Sequence, residues 1–238
     1  MIIYGINVVD ELLRSEYIKD VNEIIFDKES KNKRLDELLE KAKGVGVKIR
    51  TLDKRSIENI SKTTHHQGVI CDIRLKYFDL EYLVDNGFNV LLCDSIQDPN
   101  NLGAMIRSAV LFNFYGIVIP KDRNTEITSS VIKVSSGAIF HTYPCRVVNL
   151  NRTIEILKES NYTIIGLDAN ATIEMTQAKH GDKVGIVIGS EGEGLRKLTK
   201  EKCDHLVKIP TTNKIDSLNA SSAATIAMYQ VFINLRKK

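Results

Sequence analysis

Three stretches of this chain carry side chains suited to chemistry. Each lies where an apolar run gives way to a polar turn and then to a helix. The first is Asp94-Ser-Ile-Gln-Asp-Pro-Asn-Asn-Leu-Gly-Ala-Met-Ile-Arg-Ser-Ala109. Asn100 or Asn101 can cap the helix that follows, and Gly103 permits close backbone approach. Arg107 stands two turns into that helix among the small residues Ala104, Ser108 and Ala109, which leave room for a buried, working guanidinium. The second stretch runs from Gly185 to Leu195, a buried strand ending in a glycine-rich loop. It is neither G-x-G-x-x-G nor a P-loop, and Glu191 and Glu193 repel phosphate. A nucleoside-like ligand without phosphates fits it better, with a plain tight turn as the bland alternative. The third runs from Ile209 to Met228: Pro210 stops an apolar strand, and Ser217-Leu218-Asn219 opens a long apolar helix. Ser217 and Asn219 are helix-capping residues, and a helix N-terminus also offers free N–H groups to an electron-rich ligand.

These stretches need elements to aim them. From Val90 onward, apolar runs alternate with helical patterns: Val90–Cys93, Ile117–Ile119, Thr163–Leu167, Val184–Ile188 and Leu206–Ile209. Runs without polar alternation predict strands buried on both faces of a parallel sheet. Helices are expected over 102–111, 128–134, 153–160, 194–200 and 219–235. Ligands of such sheets bind at the carboxyl ends of the strands. Asn101, Arg107, Glu191, Ser217 and Asn219 are therefore expected on one rim.

Residues 1–75 form a separate α/β pattern, joined by a linker over 76–88, which contains a short helix, to a domain over 89–238. Basic residues between Lys31 and Arg55 are interleaved with acids, which reads as either a solvated surface or an RNA-facing one. His65 and His66 share a loop with no third ligand nearby, so no metal site is expected. The chain has 238 residues, 43% hydrophobic and 26% charged, as in ordinary globular proteins. No apolar run approaches the roughly 20 residues of a membrane span, and the opening segment soon meets Asp10 and Glu11, unlike a signal peptide. Four scattered cysteines with no C-x-x-C pair suggest a reducing cytoplasm. The net charge of +3 permits a nucleic-acid partner without arguing for one.

Asn-Leu-Gly-Ala-x-x-Arg-Ser-Ala, then Ile-Gly-Ser-Glu-Gly-Glu-Gly-Leu, then Ile-Pro-x(6)-Ser-Leu-Asn-Ala-Ser occur in that order. They resemble the three motifs of the SpoU (TrmH-type) RNA ribose 2′-O-methyltransferases, over about residues 88–238. Tyr4-Gly5 and His66-Gln67-Gly68-Val69 look like parts of the substrate-binding domain that precedes that catalytic domain, which is similar to ribosomal proteins that hold RNA kinks. The resemblance implies an α/β fold: a parallel-sheet trefoil-knot (SPOUT) domain behind a small α/β RNA-binding domain. Pattern alone predicts an unknotted doubly wound sheet. The resemblance further implies S-adenosylmethionine as cofactor, held by Gly189, Ile209 and Leu218 largely through backbone groups. It implies a homodimer, no metal, and rRNA, most of all a guanosine of 23S rRNA, ahead of tRNA. Asn101, Arg107, Glu191, Ser217 and Asn219 become the catalytic set. Arg107 would stand beside the target ribose, as alkoxide stabiliser or proton acceptor. One departure is the lack of Gly within Ile209–Ser217, which bears on the loop's fit to the cofactor. A non-catalytic RNA-binding or assembly factor and a dinucleotide-dependent oxidoreductase are the rivals. The intact motifs disfavour the first, and the missing G-x-G-x-x-G disfavours the second.

Overall fold

Short strands, the central two buried on both faces, build the sheet of the first unit, which comprises Met1–Lys76 and Ile127–His141. The computed structural model describes residues 1–212, 214 and 217–237. The elements of 1–76 are β1 (Ile2–Tyr4), α1 (Ile6–Leu13), β2 (Val21–Asp27), α2 (Lys33–Val45), β3 (Ile49–Leu52), α3 (Lys54–Ser61) and β4 (Val69–Ile73). The sheet order is β1-β4-β2-β3, with β4 antiparallel to both neighbours and β2 parallel to β3. Two side-chain caps set the helix starts: Asn32 accepts from Arg34 N at α2, and Asp53 accepts from Ser56 N at α3. α2 buries Leu35, Leu38 and Ala42 on one face and runs to Gly46, whose φ of 78° suits the left-handed stop. It therefore passes Gly44, where the sequence suggested its end. The His65–Gly68 loop is a built turn. Its buried His66 accepts a hydrogen bond from Gly68 N through Nδ1 at 3.0 Å.

The second unit comprises Tyr77–Glu126 and Thr142–Lys238. It opens with α4 (Leu80–Asp85), β5 (Val90–Asp94), α5 (Pro99–Leu111) and β6 (Gly116–Pro120). The chain then contributes α6 (Ser129–Val134) and a 3-10 turn, Ala138–His141, to the first unit. In that unit Lys133 Nζ donates to Gln67 Oε1, and His141 pairs with Glu11 at 2.8 Å. The second unit resumes with β7 (Tyr143–Val147), α7 (Leu150–Glu159), β8 (Thr163–Leu167), β9 (Ile173–Glu174), β10 (Val184–Gly189), α8 (Lys197–Lys202), β11 (His205–Lys208) and α9 (Ala220–Arg236).

Its sheet has the order β7-β6-β5-β10-β8-β11-β9, and every pairing is parallel. β5, β6 and β10 are buried along their whole length, as their unbroken apolar runs require. Because all these strands run one way, the ends of β5, β10 and β11 lie at a single carboxyl edge. The stretch over 76–88 holds its expected short helix as α4 and packs into the second unit: Leu83 is fully buried, Tyr162 donates to the carbonyls of Leu83 and Phe88, and Phe88 stacks on Tyr143. One strand was absent from the sequence reading. β7 carries Pro144 and Arg146, which hide it from an apolar count. It is an edge strand, where proline removes no needed ladder bond.

Candidate active site

The carboxyl edge collects the polar residues. Asp98, at the mouth of the loop after β5, caps α5 by accepting from Asn100 N at 2.9 Å, and Pro99 fills the first helical position. The cap is thus neither Asn100 nor Asn101. Asn101 sits within the first turn, buried, with its amide available for other work.

That work joins the three motifs. Asn101 Nδ2 donates to Glu191 Oε1 at 2.9 Å, and Asn219 Nδ2 donates to Asn101 Oδ1 at 2.9 Å and also to Glu191 Oε1. Asn219 is at the same time the cap of α9, its Oδ1 accepting from the backbone N–H groups of Ser221 and Ser222. One side chain therefore fixes a helix start with its oxygen and a carboxylate with its nitrogen. Asn101 and Glu191 line a cleft of about 640 Å³ together with Ser95, Gln97, Arg196 and Ala220, the first residue of α9.

Gly189 ends β10 and is buried. A Cβ there would stand 2.1 Å from the Gly194 backbone, so only glycine lets the loop fold back against the strand. Ser190 and Gly194 exchange backbone hydrogen bonds of 3.2 and 3.0 Å, closing the loop as a small hairpin. Ile209 follows directly after β11, and Leu218 and Ser217 precede the cap of α9. These four stand at the same edge without lining that cleft. Asn213, Ile215 and Asp216 lie outside the described residues, so the missing glycine of the third motif falls partly on undescribed chain.

Arg107 departs from expectation. It is exposed on α5 and does not line the cleft. The small residues around it make room for α9 instead, with Ser108 Oγ and Thr225 Oγ1 2.7 Å apart. Six residues of helix also turn it about 120° from Asn101 and carry it about 9 Å along the axis.

The sequence reading passed over one pair. Asp94, fully buried at the end of β5, accepts from Arg196 N at 3.0 Å and from Arg196 Nε. An acid closing an otherwise apolar run was the available signal, since a buried carboxylate demands a partner. The cysteines offer no nucleophile here: burial pushes the Cys93 thiol up to about 12, and Cys71 likewise. No group of three or more metal-ligating side chains occurs among the described residues, and no described helix is long and apolar enough to cross a membrane.

The profile of the SpoU rRNA methylase family matches residues 89–229, more than half of the chain. The chain belongs to this family. Residues 2–78 match a second profile, that of RNA 2′-O ribose methyltransferase substrate binding. A Staphylococcus saprophyticus protein bearing the name of a TrmH-family tRNA/rRNA methyltransferase is 37% identical, over 98% of this chain and 95% of its own length. An uncharacterised tRNA/rRNA methyltransferase of Synechocystis is 41% identical over 82% of this chain, and the match spans 52% of that longer protein. Among solved structures, the SpoU methyltransferase AviRb of Streptomyces viridochromogenes in complex with AdoMet superposes with a TM-score of 0.84. That match covers 100% of this chain and 91% of AviRb at 20% identity, a likeness of fold. The parallel sheet and the preceding small domain are thus those of a SpoU RNA methyltransferase.

Proposed function

We propose that this SpoU protein transfers a methyl group from S-adenosylmethionine to a ribose 2′-hydroxyl of structured RNA, with a guanosine of 23S rRNA as its target. The observation that carries the reading is the joining of Asn101, Glu191 and Asn219 at the carboxyl edge, beside a cleft floored by the start of α9. The substrate-binding segment over 2–78 supports a large folded RNA rather than a small molecule.

The residues present suit the cofactor. The hairpin after Gly189 keeps main chain close to the strand end, where backbone groups can meet a nucleoside. Gly189, Ile209 and Leu218 would hold it. When bound, S-adenosylmethionine supplies an electrophilic methyl on a good leaving group. The chain must align the hydroxyl and help it lose a proton. Asn101 and Asn219 fix the Glu191 carboxylate, and this trio orients the ribose, with Ser217 shaping the rim. Arg107 stabilises the developing alkoxide; an arginine keeps its proton, so it acts by charge.

The exposed position of Arg107 fits a site completed in a homodimer. Leu111, one turn on, is 66% exposed, and Tyr229 and Ile226 on the neighbouring α9 are 50% and 40% exposed. We assign this apolar face to a second copy and the protein to the cytoplasm.

The test is methyl transfer from labelled S-adenosylmethionine to unmodified 23S rRNA and tRNA transcripts, mapped as nucleotides resistant to alkaline cleavage. A resistant guanosine in 23S rRNA is expected; labelling of tRNA alone shifts the target, and label on a base removes the ribose assignment. Arg107→Lys should lower turnover about a hundredfold with cofactor affinity kept, as for loss of one preorganised donor. Near-normal turnover removes Arg107 from the mechanism. Sedimentation should give a dimer that Leu111→Glu with Tyr229→Glu dissociates; a wild-type monomer ends the dimer assignment.

A further inference from the structure

The cleft holds two arginines that the motif triad does not use, Arg196 and Arg123. Arg196 is tethered in an unusual way. A carboxylate facing arginine commonly takes two parallel N–H bonds from the guanidinium. Here Asp94 spends Oδ2 on the backbone N–H of Arg196 and Oδ1 on Nε. The terminal Nη groups are left out of that pairing, on a side chain 37% exposed at the cleft while Asp94 is fully buried. The guanidinium is thus held by one edge, with its Nη groups outside that pairing. A lysine has a single nitrogen, so it could not be held by Asp94 and also present a separate two-pronged fork.

Arg123 is set by a different device. It has a left-handed backbone, φ 60°, which a non-glycine residue adopts only when its surroundings impose it. Its loop is stitched to the loop after β5: Asn124 Oδ1 accepts from Ile96 N at 2.8 Å, and Thr125 N donates to Ile96 O at 2.7 Å. Ser95, also in the cleft wall, is left-handed too, φ 68°. The acids of the cleft are partly engaged, Glu191 by Asn101 and Asn219 and Asp98 by Asn100. Glu193 is exposed and accepts no side-chain donor among the described contacts.

From this geometry we infer that Arg196 and Arg123 form a phosphate clamp that seats the RNA backbone beside the target ribose, with Asp94 as the residue that aims Arg196. The inference rests on the RNA methyltransferase reading and deepens it by naming the residues that grip the substrate. Glu193 lies against this clamp and weakens it.

The test is binding of an unmodified 23S rRNA transcript to the full chain at several salt concentrations, with steady-state methyl transfer alongside. Arg196→Gln and Arg123→Gln should each weaken RNA binding about tenfold. Each should also flatten the log–log salt dependence by about 0.7 to 0.9, the slope of one lost phosphate contact. KM for RNA should rise in step, with kcat falling less than about threefold and S-adenosylmethionine affinity shifting less than about twofold. Arg196→Lys should resemble Arg196→Gln, and Glu193→Gln should tighten RNA binding. Arg123 is exposed, so its variant reports on binding even where an Arg196 variant folds poorly. Wild-type RNA affinity and salt slope in both glutamine variants overturn the clamp. So does an effect confined to cofactor affinity, which would make Asp94 and Arg196 a loop latch only. A wild-type chain that binds the transcript but transfers no methyl group fails the function reading, and the binding arms still decide the clamp.

Discussion

The charged surface of the first unit and the carboxyl edge of the second use similar side chains to opposite ends. In the first unit part of the basic cluster is paired with acids of the same unit. Lys41 pairs with Asp10 at 2.6 Å, Arg50 and Lys48 share Glu23, and Lys43 meets Glu40 at 2.7 Å. Such exposed pairs contribute little to stability, and each acid offsets part of the field a polyanion would meet. At the carboxyl edge the partners come from afar. Asn101 and Glu191 are 90 positions apart, Asn101 and Asn219 118, and Asp94 and Arg196 102. A cluster of charge along the chain is therefore a poor guide to chemistry here. Groups that only the sheet can bring together are the better one.

The largest effect should come from breaking the triad. Asn101→Ala removes the donor to Glu191 and the acceptor of Asn219 at one stroke. If the edge is the catalytic region, kcat should fall about a hundredfold, the usual loss for one preorganised donor, with RNA affinity little altered. Methyl transfer under single-turnover conditions is the measurement. A loss below about threefold would mean that the trio only ties loops together.

Much of this edge was legible beforehand, because continuous apolar runs mark buried parallel strands and glycine, serine and asparagine mark the turns after them. What stayed hidden has physical reasons. β7 is an edge strand and tolerates Pro144, so it lacks the apolar signature. α4 was expected as a short helix, but it is too short to show a period, so Leu83 as its core anchor was not readable. The α5 cap fell to Asp98 because Pro99 fixes the helix start one residue later. Arg107 was expected to be buried, since small neighbours signal close packing without naming what packs. α9 was the answer. Asp94 at the end of an apolar run signalled the need for a partner, but nothing local in the sequence names Arg196, 102 positions away.

Asn219 allows a sharper cut between scaffold and chemistry. Asn219→Asp keeps the oxygen that caps α9 and loses the amide that donates to Asn101 and Glu191. Thermal stability should stay near wild type, since aspartate caps as well as asparagine, while kcat falls about tenfold or more as a second carboxylate faces Glu191. Asn219→Ala loses both functions and should cost about 1 kcal/mol of stability besides. Equal activity in Asn219→Asp and wild type would reduce Asn219 to a cap. On the other side of the comparison, Lys48→Gln with Arg50→Gln should change RNA affinity less than about twofold, because Glu23 lies against both cations and offsets part of their charge. A tenfold loss would make the first unit's basic face a substrate surface after all.

The smallest effect concerns a buried residue of the first unit that no acid fully satisfies. His66 Nδ1 accepts from Gly68 N, so neutral His66 carries its proton on Nε2, which has no hydrogen-bond partner and lies 4.0 Å from Glu58. Burial holds its pKa below the ordinary 6.5, with Lys54 acting the same way and Glu58 and Asp27 opposing. Between the lowered native value and 6.5 the unfolded chain binds the proton more readily, so stability should fall as pH drops through that window and level off below it. The slope there is at most about 1.4 kcal/mol per pH unit. His66→Asn keeps an acceptor for Gly68 N and cannot titrate. Urea unfolding at several pH values from neutral to mildly acidic should show a shallower dependence in the variant than in wild type. Matching slopes would place the acid sensitivity elsewhere.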